Sequence, residues 1–424
     1  IKSLIKYGIM EKIFVIEPIL DKDIDEEYAI AETSSLVKSA GGIVKGYECV
    51  RINKITPSTY IGKGKVEEIK IACDELGCDL IVFDGDLSPS QTLNLSEGLG
   101  DIPVIDRTTL ILDIFALNAK TSEGKVQVEL AQLKYIYPRL KGKGAALSRQ
   151  GGGIGTRGPG ESKLESDRRH IRRRMDYLEN RLEELKSRRN LQTDRRKKDG
   201  TLVVSFVGYT NSGKSTLLNA LTGSDVLAED KLFATLDPTS RKLRLNDFEV
   251  LLVDTVGFIK NVPTSLIEAF GSTLESAVNS DLNVIVLDAT NNYEEQLKTT
   301  TSMLDELGAK CERLVVFNKT ENIEVCADFP KDALMISAKY GKGLTLLKEK
   351  IAKILKTEFA FYEFKLPYSA LNDLRKLLPY SSCSNLDYND ETVSARIVVN
   401  KRYVKRFEEF IRSQHLSDEN DGNI

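Results

Sequence analysis

Residues 208–216, GYTNSGKST, fit the pattern GxxxxGK[ST] and lie between a β-branched apolar run, TLVVSFV, and a helical pattern, LLNAL. A strand that feeds a helix through such a loop aims backbone N–H groups at an anion, and glycines let the main chain wrap it. The chemistry on offer is the binding of nucleotide phosphates. Gly208 and Gly213 allow the loop its curvature, and Tyr209, Thr210, Asn211, Ser212 and Thr216 complete it. Lys214 sets an ammonium on the β and γ phosphates, while Ser215 offers a hydroxyl to Mg²⁺.

Further along, FEVLLVDTVG ends in Asp254 and, three residues on, Gly257. A carboxylate at the tip of a buried strand can hold Mg²⁺ through water. The glycine N–H can bond the γ phosphate, and loss of that bond on hydrolysis would release a loop. LFATLDPTSRKL stands at the right distance to be a first switch, with Phe233 and Ala234 beside the nucleotide and the Thr235 hydroxyl on Mg²⁺; Thr239 is the competing hydroxyl. Lys214, Thr235 and Gly257 are thus the catalytic candidates. Asn318 and Lys319 resemble the start of the NKxD base-reading motif of GTPases, and Ser337, Ala338 and Lys339 its SAK partner. Position 321 carries Glu where that motif has Asp, so the base-reading carboxylate sits on a longer arm and GTP is the favoured substrate with ATP second. Phe258 occupies the place where many GTPases carry a water-orienting glutamine, which predicts slow unaided turnover.

These residues need a scaffold, and the chain has length for about three domains at roughly 150 residues each. Residues 12–115 alternate short apolar runs with helical patterns, the signature of a small α/β domain with a largely parallel sheet. An apolar stripe at Val126, Leu130, Leu133 and Tyr137 predicts a helix ending near Pro138. After a loop with six glycines in residues 151–160, Leu164, Ile171, Met175, Leu178, Leu182 and Leu185 form a heptad seam. The expected architecture is multidomain α/β: an N-terminal α/β domain (1–122), an antiparallel helical hairpin with a glycine-rich loop (123–198), a P-loop domain with a mixed, mostly parallel sheet (199–357) and a small α+β domain (358–424). The last reads as strand, helix, strand, helix. Net charge is −3, yet residues 161–199 hold fourteen Lys/Arg against nine Asp/Glu, so +5 is concentrated there and −8 lies elsewhere. Basic charge that local suits a nucleic-acid contact. Six scattered cysteines without a CxxC pair and two histidines argue against a zinc site or a histidine triad. No run approaches the roughly 20 apolar residues of a membrane span, and no signal-peptide pattern opens the chain, so a cytoplasmic protein is expected.

TYIGKGKVEEI, GGGIGTRGPGESKLESDRRHIRRR, GYTNSGKSTLLNAL, FATLDPT and DTVGF, in this order, resemble the HflX-type GTPases over roughly residues 12–350. The resemblance implies a ribosome-associated GTPase that binds the large (50S) subunit and, with GTP or GDP and Mg²⁺ as ligands, helps split or rescue stalled and idle ribosomes. It also implies that the N-terminal domain and hairpin reach rRNA, with Arg157, Arg168, Arg169, Arg172, Arg173 and Arg174 set to neutralise phosphates. Nothing demands more than a monomer. Two other readings compete: an ATP- or GTP-driven RNA remodeller, favoured by Glu321 and the basic helix, and a regulatory module that barely hydrolyses its nucleotide, favoured by Phe258.

Overall fold

Four short β-branched runs form the first sheet: β1 (Lys12–Ile19), β2 (Ile43–Arg51), β3 (Leu80–Phe83) and β4 (Val104–Asp106), in the order β2-β1-β3-β4 and all parallel. β3 is buried at every position and β1 at all but its first, as strands covered on both faces must be. At the sheet edge β2 alternates instead between exposed and half-buried residues over its first six positions and buries only Val50. The computed structural model describes residues 10–20, 26–148, 159–198, 201–223, 232–233, 238–245, 248–259, 266, 274–322, 329–377, 381–389 and 391–413.

Helices α1 (Glu26–Ser39), α2 (Lys63–Leu76), α3 (Pro89–Gly98) and α4 (Arg107–Asn118) connect and follow these strands. Ser88 and Gln91 close a capping box ahead of α3, and the Asp106 carboxylate accepts from the Thr109 N–H to start α4. The carboxyl ends of β1 and β3 meet a buried charge cluster. Arg107 donates to Glu32 at 2.5 Å and to Asp84 at 2.6 Å, and Thr33 donates to Glu17 at 3.1 Å. Burial, reinforced by the neighbouring Asp84 carboxylate, pushes the Glu17 carboxyl up to about 9, so this acid is neutral at physiological pH.

Two long helices follow, α5 (Ser122–Ser148) and α6 (Pro159–Lys198). The sequence predicts a stop near Pro138, but α5 runs through it. A proline inside a helix removes one N–H and crowds the preceding turn. Here the next residue ties that turn down: Arg139 donates to the Tyr135 carbonyl at 3.0 Å and to the Leu87 carbonyl at 3.1 Å. On α6 the expected seam is the sheltered face, with Leu178 buried and Ile171, Met175, Leu182 and Leu185 half-buried. Leu164 and the glycine-rich loop lie outside the side chains and residues described.

These elements, α6 as far as Leu185, belong to a first compact unit, Ile1–Leu185 together with Glu229–Asp237 and Lys260–Ser272. The second unit is built on a six-stranded sheet of β5 (Leu202–Val207), β6 (Thr239–Leu245), β7 (Phe248–Asp254), β8 (Leu282–Asp288), β9 (Glu312–Asn318) and β10 (Leu334–Met335). Its order is β10-β9-β8-β5-β7-β6, parallel except for β6, which runs antiparallel to β7. Helices α7 (Lys214–Thr222), α8 (Tyr293–Glu306) and α9 (Leu344–Lys356) follow β5, β8 and β10, which makes this the expected P-loop domain with a mixed, mostly parallel sheet. The C-terminal part is a three-stranded antiparallel sheet of β11 (Phe359–Pro367), β12 (Ser381–Tyr388) and β13 (Thr392–Asn400), with α10 (Leu371–Leu377) and α11 (Val404–Ser413). β12, SSCSNLDY, is a strand that the strand, helix, strand, helix reading lacks. Its sequence is polar, and it is held as a strand by pairing along β13.

Candidate functional site

Strand β5 runs directly into the loop, and the loop's conformation requires its glycines. Gly208 has φ +148 with the β8 backbone so close that a Cβ would lie 2.3 Å from the Val286 carbonyl oxygen. Gly213 has φ +91, and a Cβ there would stand 2.2 Å from Asn318 Nδ2. Asn211 takes the left-handed conformation between them, at φ 60. Gly213 starts α7 with no side-chain cap, so the helix presents N–H donors to the loop's interior. The Thr210 and Ser212 hydroxyls are buried there without a hydrogen-bond partner. Orphaned donors around a helix N-terminus fit an anion.

Lys214 is buried and donates to the carbonyls of Tyr209 at 2.7 Å and Gly208 at 3.2 Å. Burial lowers its pKa to about 8; the Asp254 carboxylate pulls the other way and Lys319 adds to the lowering. Ser215 donates to Asp254 Oδ2 at 2.6 Å, so the hydroxyl and carboxylate expected to share a cation do converge. A hard divalent ion takes oxygen ligands of this kind. Thr239 opens β6 directly across from Asp254 in the strand register. Thr235 and Ala234 lie outside the described residues.

Gly257 packs so closely on the loop that a Cβ would meet Thr210 Cα at 2.7 Å and Lys214 Nζ at 2.9 Å. The next residue closes a backbone bridge: Phe258 N–H donates to the Gly208 carbonyl at 2.9 Å, and Thr210 N–H donates to the Phe258 carbonyl at 2.6 Å. The Phe258 ring is buried among Val207, Leu274, Ile285 and Phe317, away from any role in orienting water.

Asn318, at the tip of β9, joins the loop to the base-reading residues. Its amide donates to the Ser212 carbonyl at 2.9 Å and its carbonyl oxygen accepts from the Ala338 N–H at 2.9 Å. Lys319, at φ 63, pairs with Asp288 at 2.8 Å. Asp288 is a residue of this candidate site that the sequence reading missed: it holds Lys319 and ends β8 in register with Asn318, and a carboxylate at a strand tip beside the NKxD-like strand is the signal that would have found it. Thr320–Asn322 form a 3₁₀ turn, anchored by the Thr320 hydroxyl on the Ile336 carbonyl at 2.8 Å. Glu321 rides on this turn with its Oε2 buried and without a partner. An unpaired buried acceptor beside Asn318 fits the N–H donors of a guanine and would face the N1 lone pair of an adenine. Ser337 accepts from the Tyr340 N–H at 3.2 Å, and Lys339 is exposed with its ammonium over the Tyr340 ring.

The chain matches three family descriptions in succession: a GTP-binding GTPase N-terminal region over residues 27–116, a GTP-binding GTPase middle region over 118–196, and a 50S ribosome-binding GTPase over 203–319. It is 46% identical over 392 residues to the GTPase HflX of Caldanaerobacter subterraneus subsp. tengcongensis, covering 92% of this chain and 91% of that one. The chain belongs to the HflX GTPase family. To the HflX of Alkalihalophilus pseudofirmus it is 50% identical, over 78% of this chain and 80% of that one; to that of Escherichia coli K12 it is 41% identical, over 82% and 83%. A solved GTP-binding protein of Sulfolobus solfataricus in complex with GDP is 27% identical, with a TM-score of 0.45, over 82% of this chain and 99% of that one. As an HflX GTPase with a P-loop domain, the protein is a hydrolase.

The arginines of the HflX-like basic helix are not equivalent. Arg174 forms a two-pronged pair with Glu129 of α5, at 2.8 and 3.0 Å. Arg168 and Arg172 lie over the Tyr137 ring, 5.2 and 5.8 Å from its centroid. Arg169 is exposed and loosely paired with Glu165 at 3.8 Å, and Arg173 is exposed with no ion pair among the described residues. Arg157 lies outside the described residues. No described helix is long and apolar enough to cross a membrane.

Proposed function

We propose that this HflX GTPase binds the large ribosomal subunit through its basic helix and the preceding glycine-rich loop, and uses GTP binding and hydrolysis as the switch that splits or rescues stalled and idle ribosomes. The observation that carries the nucleotide half of this reading is the set of buried, partnerless oxygens, Thr210 Oγ1 and Ser212 Oγ on the phosphate loop and Glu321 Oε2 on the turn after Asn318, whose amide ties Ser212 to Ala338. Phosphates satisfy the first two and a guanine edge the third. In this reading, residues 208–216 cradle the phosphates, Lys214 neutralises them, and Asn318, Lys319, Glu321, Ser337, Ala338 and Lys339 surround the base; Phe233, expected beside the nucleotide, is instead buried against Phe115 of α4 with its carbonyl accepting from Asn118 at 2.8 Å, and Ala234 lies outside the described residues. Ser215, Thr235 and, through water, Asp254 would hold Mg²⁺, which supplies positive charge to the phosphate oxygens.

Gly257 offers its N–H to the γ phosphate. With Phe258 buried, no side chain at that position orients water, so hydrolysis by the protein alone is slow and a partner sets its rate. Among the described arginines of the basic helix, Arg173 and the loosely paired Arg169 are the most open to rRNA phosphates.

The test is hydrolysis of labelled GTP and ATP by the purified protein alone, with total RNA, and with purified 50S subunits. GTP turnover stimulated by 50S far beyond the effect of RNA is the expected result. ATP turnover stimulated equally by free RNA, with nothing added by 50S, would replace the ribosomal switch by an RNA remodeller.

A further inference from the structure

The stretch CDELGC, residues 73–78, ends α2 and leads into β3. Gly77 stands just past the helix at φ +62 with its N–H donating to the Cys73 carbonyl, and the Cys78 N–H donates to the same carbonyl at 3.1 Å. This is a Schellman closure, in which the residue two beyond the helix end folds back over the residue five before it. The two positions whose side chains such a turn presses together ordinarily carry apolar residues. Here both carry thiols, and the Cys73 S–H donates to Cys78 Sγ. Cys73 is buried in the core beneath α2, whereas Cys78 packs against that core half-buried, so the second thiol is the one open to a reagent.

The same turn is fastened to the sheet. Asp79 donates its N–H to the Lys12 carbonyl at 2.7 Å, and its carboxylate accepts from the Lys12 N–H at 2.9 Å. Burial pushes the Cys73 thiol up to about 12 and raises Cys78 as well. Against that rise, Cys78 accepts the Cys73 hydrogen bond and faces the Lys12 and Lys45 ammoniums, and all three favour its thiolate. Exposure and charge therefore agree that Cys78 is the nucleophile of the pair.

We propose that Cys73 and Cys78 form a reversible oxidation site, at which a low-molecular-weight disulfide converts the pair to an intramolecular disulfide that rivets the last turn of α2 to the strand it feeds. The Cys78 thiolate attacks one sulfur of the reagent, which forms a mixed disulfide and expels one thiolate. Cys73 then gives up its proton, attacks Cys78 Sγ and expels the second thiolate. The protein loses two electrons and two protons, and the reagent gains both as two free thiols. Thiols already in contact satisfy the convergence that a disulfide demands without a shift of the backbone. An excess of reducing thiol runs the exchange backwards. Because α2 starts within the GKGK stretch, the oxidised form stiffens the helix that carries it.

The experiment treats the full chain, reduced beforehand, with glutathione disulfide, blocks the remaining thiols by alkylation and maps peptide masses without reduction. The wild type should lose two alkylatable thiols and yield the Cys73–Cys78 link. Cys73→Ala lacks the second thiol and should stop at the mixed disulfide, with glutathione on Cys78, while Cys78→Ala should leave Cys73 unmodified. Closing a loop this short removes freedom mainly from the opened turn, so amide exchange at Gly77 and Cys78 should slow by about tenfold in the oxidised wild type and recover with dithiothreitol. A wild type that keeps both thiols, or links either to a different cysteine, overturns the site, and this result stands whether or not the variants fold. Glutathione on Cys73 in Cys78→Ala overturns the order of attack, and unchanged exchange in the linked protein overturns the rivet.

Discussion

Replacing the arginines of α6 one at a time should separate those that meet phosphate from those that hold the protein together. Each phosphate contact made by a basic side chain steepens the dependence of log affinity on log salt by about 0.7 to 0.9. Between 50 and 200 mM salt, loss of one contact therefore removes about a threefold share of the salt effect. Arg173 is exposed and unpaired among the described residues, so Arg173→Ala should weaken binding to 50S subunits at 50 mM and flatten the salt slope by about one contact. Arg174 is matched by Glu129 through two bonds. Arg174→Ala should leave the slope unchanged and weaken only the α5–α6 contact, and that slightly, since the pair is exposed and screened by solvent. Glu129→Gln frees Arg174 and should steepen the slope. The assay is co-sedimentation with purified 50S subunits over a salt series at constant Mg²⁺ with a GTP analogue bound. Equal flattening by Arg173→Ala and Arg174→Ala, or an unchanged slope in Arg173→Ala, would refute the assignment.

Other consequences follow from single sites. Gly213→Ala drives a methyl into Asn318 Nδ2 and strains a φ of +91; a loss of about 2–3 kcal/mol, roughly 30- to 150-fold in GDP affinity, is expected, and wild-type affinity would contradict the loop geometry. Phe258→Gln places an amide in an apolar cluster, so thermal melting should show about 3 kcal/mol of lost stability and turnover should not rise; a tenfold faster hydrolysis in a protein of unchanged stability would count against the buried-ring account. The Glu17 carboxyl is raised from 4.5 to about 9, so its stabilising contribution is complete below the unfolded value and is lost as pH rises through 9. Glu17→Gln keeps the neutral shape and should remove a slope of at most about 1.4 kcal/mol per pH unit between those limits, read by hydrogen exchange in α1 and β1; an unchanged slope would mean that Glu17 is ionised in the folded protein.

Much of the nucleotide site was legible because its parts are short and contiguous. A strand, a glycine-bearing loop and a helix carry their own geometry, and Asp254 and Asn318 each end an apolar run whose destination in a parallel sheet is nearly fixed. What stayed illegible was tertiary. Asp288 gains its role only from lying in register with Asn318, and Arg174 differs from Arg173 only because Glu129 stands opposite it. Pro138 reads as a stop in any sequence window, yet Arg139 secures the turn that the proline weakens. The long arm of Glu321 leaves open whether it reaches the base; its buried, unpaired oxygen on a 3₁₀ turn is visible only in three dimensions. Phe233 gives no hint in sequence that it belongs with α4.

The two bonds of the Asn318 side chain have a consequence for how this site can vary between lineages. Because one amide spans the Ser212 carbonyl and the Ala338 N–H while its nitrogen fills the space over Gly213, the phosphate loop, the NKTE turn and the SAK loop constrain one another. A substitution tolerated in any one of them is tolerated only on the background of the other two, so their effects should be non-additive in combination. The one departure present, Glu for Asp at position 321, falls on the turn beyond Asn318, where the side chain can vary and leave that shared joint intact. Drift in base recognition is thus confined to positions outside the joint, and the amide at 318 is the place where the site has the least freedom to change.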